Sequence, residues 1–177
     1  GSGRGQVVDA AMFEGAATLG VSLYTMAGMG LHDANRPGTN MSDGGSHFYD
    51  VYETADGRYM AVGAIEPPFY AALLRGLGLE AAELPKQMDR KAWPAMKQRF
   101  TEIFRSKTRA EWERVFAGTD ACVAPVLSPE EAAAHPHAVA RGSFTRDGGM
   151  LQPAPAPRFS RTPGAIGWPP GLPGPDG

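Results

Sequence analysis

Glu66 is the residue of this sequence whose setting most suggests chemistry: it follows the apolar run Ala61-Val62-Gly63-Ala64-Ile65 and precedes Pro67-Pro68. That pattern reads as a strand-to-helix junction, a position that can aim a carboxylate into a cleft. Partial burial there would raise its pKa, and a neighbouring imidazole could be oriented by it or share its proton. A helix N-terminus also attracts a carboxylate through the helix dipole, and from the residues alone this structural role takes precedence over catalysis. Tyr49 has the same two-sided character: its hydroxyl can reach a ligand from a strand, or its ring can pack with the hydroxyl in solvent. His135-Pro136-His137 brings two imidazoles close together, but no second ligand cluster at zinc-site spacing accompanies them, so no metal site is expected. Cys122, the single cysteine, lies in an apolar stretch where a buried, inert thiol is expected. Gly76-Leu77-Gly78-Leu79 lacks the spacing of a dinucleotide fingerprint and reads as a helix stop.

The elements that must position these groups follow from periodicity. Gln6 to Asp9 reads as the end of a strand. Met12, Phe13, Ala16, Leu19, Leu23 and Met26 then recur at helical steps, a face expected to pack in a core. Gly28, Gly30 and Pro37 end it, and Leu31 to Ser46 reads as a polar loop. Phe48 to Thr54 and Arg58 to Ile65 flank Ala55-Asp56-Gly57, a β-hairpin signature, since Asp-Gly supplies the positive φ of a tight turn. Helices are expected from Pro67 through Leu77, from Trp93 through Phe104, and after the capping box Thr108 to Glu111. Ala121 to Leu127 reads as a buried strand that Pro125 pushes to a sheet edge, followed by a short helix capped by Ser128. From Gln152 the prolines and glycines multiply into an extended arm. The expected fold class is α+β: a small antiparallel hairpin sheet covered by helices, with an N-terminal linking helix and a Pro-rich C-terminal arm. The expected divisions are 1–46 (helix and loop), 47–150 (small domain) and 151–177 (arm).

Composition narrows the function. The chain has 177 residues, 42% hydrophobic and 20% charged, enough for a real core. A net charge of -2 argues against nucleic acid as a partner, and no apolar run approaches the roughly 20 residues that span a bilayer. One cysteine and no signal-peptide pattern fit a cytoplasmic protein. The opening Gly1-Ser2-Gly3 has no initiator methionine and reads as the continuation of an upstream segment.

Several segments in order resemble the C-terminal half of α-methylacyl-CoA racemases, in the class III CoA-transferase superfamily. They are Gly5 to Asp9, Asp43-Gly44-Gly45 before Phe48-Tyr49-Asp50, Ala55 through Pro67, Gly118 through Leu127, His135-Pro136-His137 and Pro153 through Ser160. The resemblance implies an interlocked homodimer of two-domain subunits acting on an acyl-CoA thioester by α-proton removal, with coenzyme A only as part of the substrate and no other cofactor. It implies that the principal His and Asp and most of the CoA site lie upstream of Gly1, leaving this segment inactive by itself. Glu66 matches the acidic residue of an Ile-Glu-Pro segment that orients the catalytic His. Tyr49 and Ile65 match its cleft-facing neighbourhood, with Asp43 and Gly44 joining them on the substrate side. CoA transfer between acids, through an aspartyl nucleophile also upstream, and a non-catalytic dimerisation module are the alternatives.

Overall fold

The structure is a computed structural model and describes residues 3–147 and 149–166. Two compact units divide the chain after Val126.

In the first unit, Asp56-Gly57 turns the chain between β1 (Tyr49–Glu53) and β2 (Tyr59–Gly63), with Gly57 at φ 68°. The hairpin register pairs Tyr49 with Gly63 and Val51 with Ala61. A third antiparallel strand, β3 (Val123–Pro125), joins on the β2 side, so Pro125 sits at a sheet edge. Alternation then sorts the side chains. Tyr52, Met60 and Val62 point inward and are buried, whereas Tyr49 and Val51 are exposed on the other face.

Three helices of this unit contribute to the buried core behind the sheet: α3 (Pro67–Leu77), α4 (Trp93–Phe104) and α5 (Arg109–Phe116). Proline at its start and Gly78 in the left-handed region at its end delimit α3. The Thr108/Glu111 capping box opens α5. Aromatic rings dominate the core: Tyr52 stacks on Phe104 at 4.9 Å, and Phe104 meets Trp112 at 5.1 Å. Gly76 does more than end a helix. A Cβ there would lie 2.2 Å from Cε1 of Phe116, so its missing side chain lets the α5 ring approach.

The N-terminal region departs from expectation. Gln6 to Asp9 forms no strand, and the expected single helix is two, α1 (Met12–Leu19) and α2 (Val21–Gly28), broken at Gly20. Neither helix contains a buried residue; Phe13 and Leu19 are more than four-fifths exposed. The apolar periodicity is real, but the described residues hold no surface that covers it.

The second unit begins with α6 (Pro129–Ala134), capped by Ser128 as expected, and α7 (Pro136–Arg141). It continues in a hairpin the sequence reading missed, β4 (Phe144–Asp147) and β5 (Met150–Pro153). The first residues of the proline-rich stretch are thus paired in a strand. The end of the arm, from Gly167, lies outside the described residues.

Candidate functional site

The outward face of the β1–β3 sheet carries the candidate site. Tyr49 and Val51 from β1, Ala61 and Gly63 from β2, and Ala124 from β3 share this face, and the loop 42–44 borders them. Together they line an open depression of about 490 Å³. Its floor is low because three of its strand positions are Ala or Gly. The Tyr49 ring lies across Gly63, where an added Cβ would meet its Cε2 at 3.7 Å. Strand alternation had left Tyr49 undecided between ligand and packing; the register puts it on the open face, 39% exposed.

A buried asparagine organises the bordering loop. Asn40 Oδ1 accepts from the Asp33 amide at 2.8 Å, while Asn40 Nδ2 donates to Asp33 O and to Asp43 Oδ2. The Asn40 amide also donates to Asp43 Oδ1 at 2.7 Å. Desolvation pushes the Asp43 carboxyl up, but the side-chain and backbone hydrogen bonds from Asn40 outweigh it and hold the group below its usual range. Asp43 is therefore an anion whose two oxygens are already engaged. Gly45 must be glycine, since a Cβ would come within 2.4 Å of Thr39 C. Asp50, also on the lining, pairs with Lys97 of α4 at 2.5 Å.

Glu66 is the N-cap residue of α3 and is exposed, yet its side chain makes no capping hydrogen bond. The structural use that took precedence on sequence grounds is thus not realised through hydrogen bonding. Its charge is felt at Cys122, which lines the depression: partial desolvation, then Glu66, then Asp120 push that thiol up. Glu66 consequently stands beside the depression rather than on its lining. Cys122 corrects the expectation of a buried thiol. It is exposed and sits at φ 50°, a left-handed conformation costly for a residue with a Cβ, just before β3. Its carbonyl accepts from the Gly63 amide at 2.9 Å, extending the pairing past the strand.

The structure thus brings Asp43, Gly44 and Tyr49 together, sets Glu66 at the side, and turns Ile65 away: its side chain is half-buried against the core. The Ala64 and Ile65 carbonyls accept from Gln87 Nε2 at 3.0 and 2.8 Å, fastening the junction that carries Glu66. Sequence reading missed Gln87, Lys97, Ala61, Gly63 and Ala124. The small residues at alternate positions of β2 were a usable signal; the Gln87 and Lys97 contacts join residues far apart in sequence and left none.

Two of the four histidines, His47 and His135, have structural settings. His47 is buried, with Nε2 2.8 Å from Tyr70 Oη and Nδ1 without a partner, and burial pushes its pKa down to about 4. His135 Nδ1 accepts from the His137 amide at the start of α7. Among the described residues no three His, Cys, Asp or Glu side chains gather as a metal ligand set, and no helix is long and apolar enough to cross a membrane.

The family model of CoA-transferase family III matches residues 1–176. The chain belongs to this family. Among similar members, the α-methylacyl-CoA racemases of Mus musculus and Homo sapiens are 56% and 52% identical over 92% of the chain. The chain spans 42% of the length of each. A CaiB/baiF CoA-transferase family protein of Caenorhabditis elegans is 30% identical over 88% of the chain and 44% of that protein. In fold, this family member matches a crystal structure of Rv3272 from Mycobacterium tuberculosis with a TM-score of 0.66. That match has 17% identity and covers 92% of this chain and 42% of the other; at such identity the likeness is one of fold.

Proposed function

We propose that the full-length protein containing this chain inverts C2 of 2-methylacyl-CoA thioesters, with this chain supplying the wall beside the acyl group and Glu66 as a supporting carboxylate. The observation that carries the reading is the identity of more than half of aligned residues to two α-methylacyl-CoA racemases over 92% of the chain. In the proposed reaction a base takes the C2 proton, and the electron pair left behind delocalises into the thioester as an enolate. A second group returns a proton to C2 from the opposite face. The thioester bond stays intact, and nothing is oxidised or reduced. Coenzyme A enters only as the carrier of the acyl group.

The chemistry of the depression supports a partial site. Inversion needs two opposed acid/base groups. Asp43 is held by Asn40 and Asp50 by Lys97, and the Cys122 thiol is pushed further from ionisation. This lining suits apolar contact through Tyr49, Val51, Ala61 and Ala124 better than proton transfer. The opposed pair is expected from the portion of the relatives that this chain does not span, making the chain inactive alone. Glu66, exposed and without a capping bond, is available to orient an imidazole from that portion. On the same reading the uncovered α1–α2 face packs against the rest of the assembled dimer.

The test is α-proton exchange from 2-methylacyl-CoA in deuterated water. Exchange is expected from the full-length protein, none from this chain alone, and at least about 10-fold less from full-length Glu66→Gln. A folded full-length protein that leaves the α-proton in place refutes the proposal; exchange by the isolated chain refutes the partial site. The match to a CoA-transferase family protein favours a second reading, which movement of CoA to an acceptor acid without α-proton exchange would select.

A further inference from the structure

We propose that Lys97 is a positioning residue for the acyl side of the depression, an inference that rests on the reading above. Lys97 lies on α4, behind the sheet and 53 residues beyond Gly44. Its ammonium donates to the Gly44 carbonyl and pairs with Asp50 Oδ2 at 2.5 Å. Gly44 belongs to the bordering loop and Asp50 to β1, next to Tyr49, and both line the depression. One cation from a core helix thereby ties the bordering loop to strand β1. A lysine suits the task, as a compact charge with three donors that can serve a carbonyl and a carboxylate at once. Side-chain exposures of 32% for Lys97 and 24% for Asp50 leave the pair less screened by salt than a fully exposed one.

Other fastenings of the loop lie on its far side. Arg90 Nη2 donates to Thr39 O at 3.2 Å and approaches Asn40 Oδ1 at 3.4 Å, and Asn40 binds Asp43. At Gly44 the backbone is at φ 100°, and a Cβ there would meet nothing within 4 Å. Gly45 beside it is bonded to Asn40 O at 3.0 Å, and Lys97 is the side chain that engages the Gly44 carbonyl. The loop wall touches an acyl group in ground and transition states alike, so loosening it removes uniform binding: KM rises while kcat stays.

The test uses the full-length protein with Lys97→Met, Lys97→Arg and Asp50→Asn, read by α-proton exchange of a long-chain 2-methylacyl-CoA and by amide hydrogen exchange of the loop. Lys97→Met is expected to raise KM about 10-fold with kcat within about threefold, and Asp50→Asn to shift KM in the same direction. Lys97→Arg, which keeps the charge, is expected to restore part of the KM. Exchange at the Gly45 amide, bonded to Asn40 O at 3.0 Å, is expected to quicken about 10-fold in Lys97→Met. Unchanged KM with unchanged loop exchange overturns the inference, as does a fall in kcat at constant KM. A lowered melting temperature alone, with both readouts unmoved, also overturns it by making Lys97 merely structural. If the unsubstituted protein shows no α-proton exchange, the racemase reading falls; an unquickened Gly45 amide in Lys97→Met is the separate failure that removes the clamp.

Discussion

Replacing Gly76 with alanine should destabilise this protein, the reverse of what a helical Gly→Ala change usually does. Gly76 lies in the last turn of α3, where alanine would ordinarily contribute about 0.5–1 kcal/mol by restricting the unfolded backbone. Here the new Cβ would sit 2.2 Å from Phe116 Cε1, 2.9 Å from Cζ and 3.0 Å from Cδ1. The ring cannot simply swing aside, because Phe116 is 5% exposed and packs on Trp112 at 5.9 Å. Overpacking of this kind costs about 1–3 kcal/mol, so after the helix gain the net loss is about 0–2.5 kcal/mol. Urea unfolding at pH 7 measures it directly. The double variant Gly76→Ala/Phe116→Leu should lose about 1 kcal/mol less than the sum of the single losses, because leucine lacks the ring edge that clashes. Stabilisation by Gly76→Ala, or strict additivity in the double variant, would refute the claim that this glycine exists to admit the Phe116 ring.

Two further outcomes follow from the site's supports. The buried His47 has a folded pKa near 4 against an ordinary 6.5, so on acidification the unfolded chain takes up its proton first. Stability is therefore full above about pH 6.5 and declines as pH falls toward 4, by up to about 2 kcal/mol at pH 5. In His47→Gln this part of the pH slope should vanish in urea titrations at pH 7 and 5; an identical slope would show that other groups cause it. Gln87→Leu removes both donors to the Ala64 and Ile65 carbonyls. Misplacement of Glu66 should then slow α-proton exchange by the full-length protein about 10-fold or more, and an unchanged rate would show that the junction holds itself.

Local chemistry carried much of the fold. The Asp56-Gly57 turn, the proline start of α3, and the Thr108 and Ser128 capping boxes all formed at the residues that encode them, because each depends on neighbours within a few positions. The ordered segments between Gly5 and Ser160 likewise disclosed the family. What sequence could not supply was direction and long-range contact. A period-2 strand has two faces, and only packing of Tyr52 and Met60 against the helices decided that Tyr49 looks outward over Gly63. Apolar periodicity in α1 and α2 revealed a face without revealing what covers it. Cys122 looked buried by its neighbours' types and became exposed through the left-handed bend that precedes β3. Lys97 finds Gly44 and Asp50, and Gln87 finds Ala64 and Ile65, only after the helices close behind the sheet. Hydrogen bonds spanning 22 to 53 residues carry no local pattern, so the walls of the depression were set by the tertiary fold, while the residue types that line it were written in the strands.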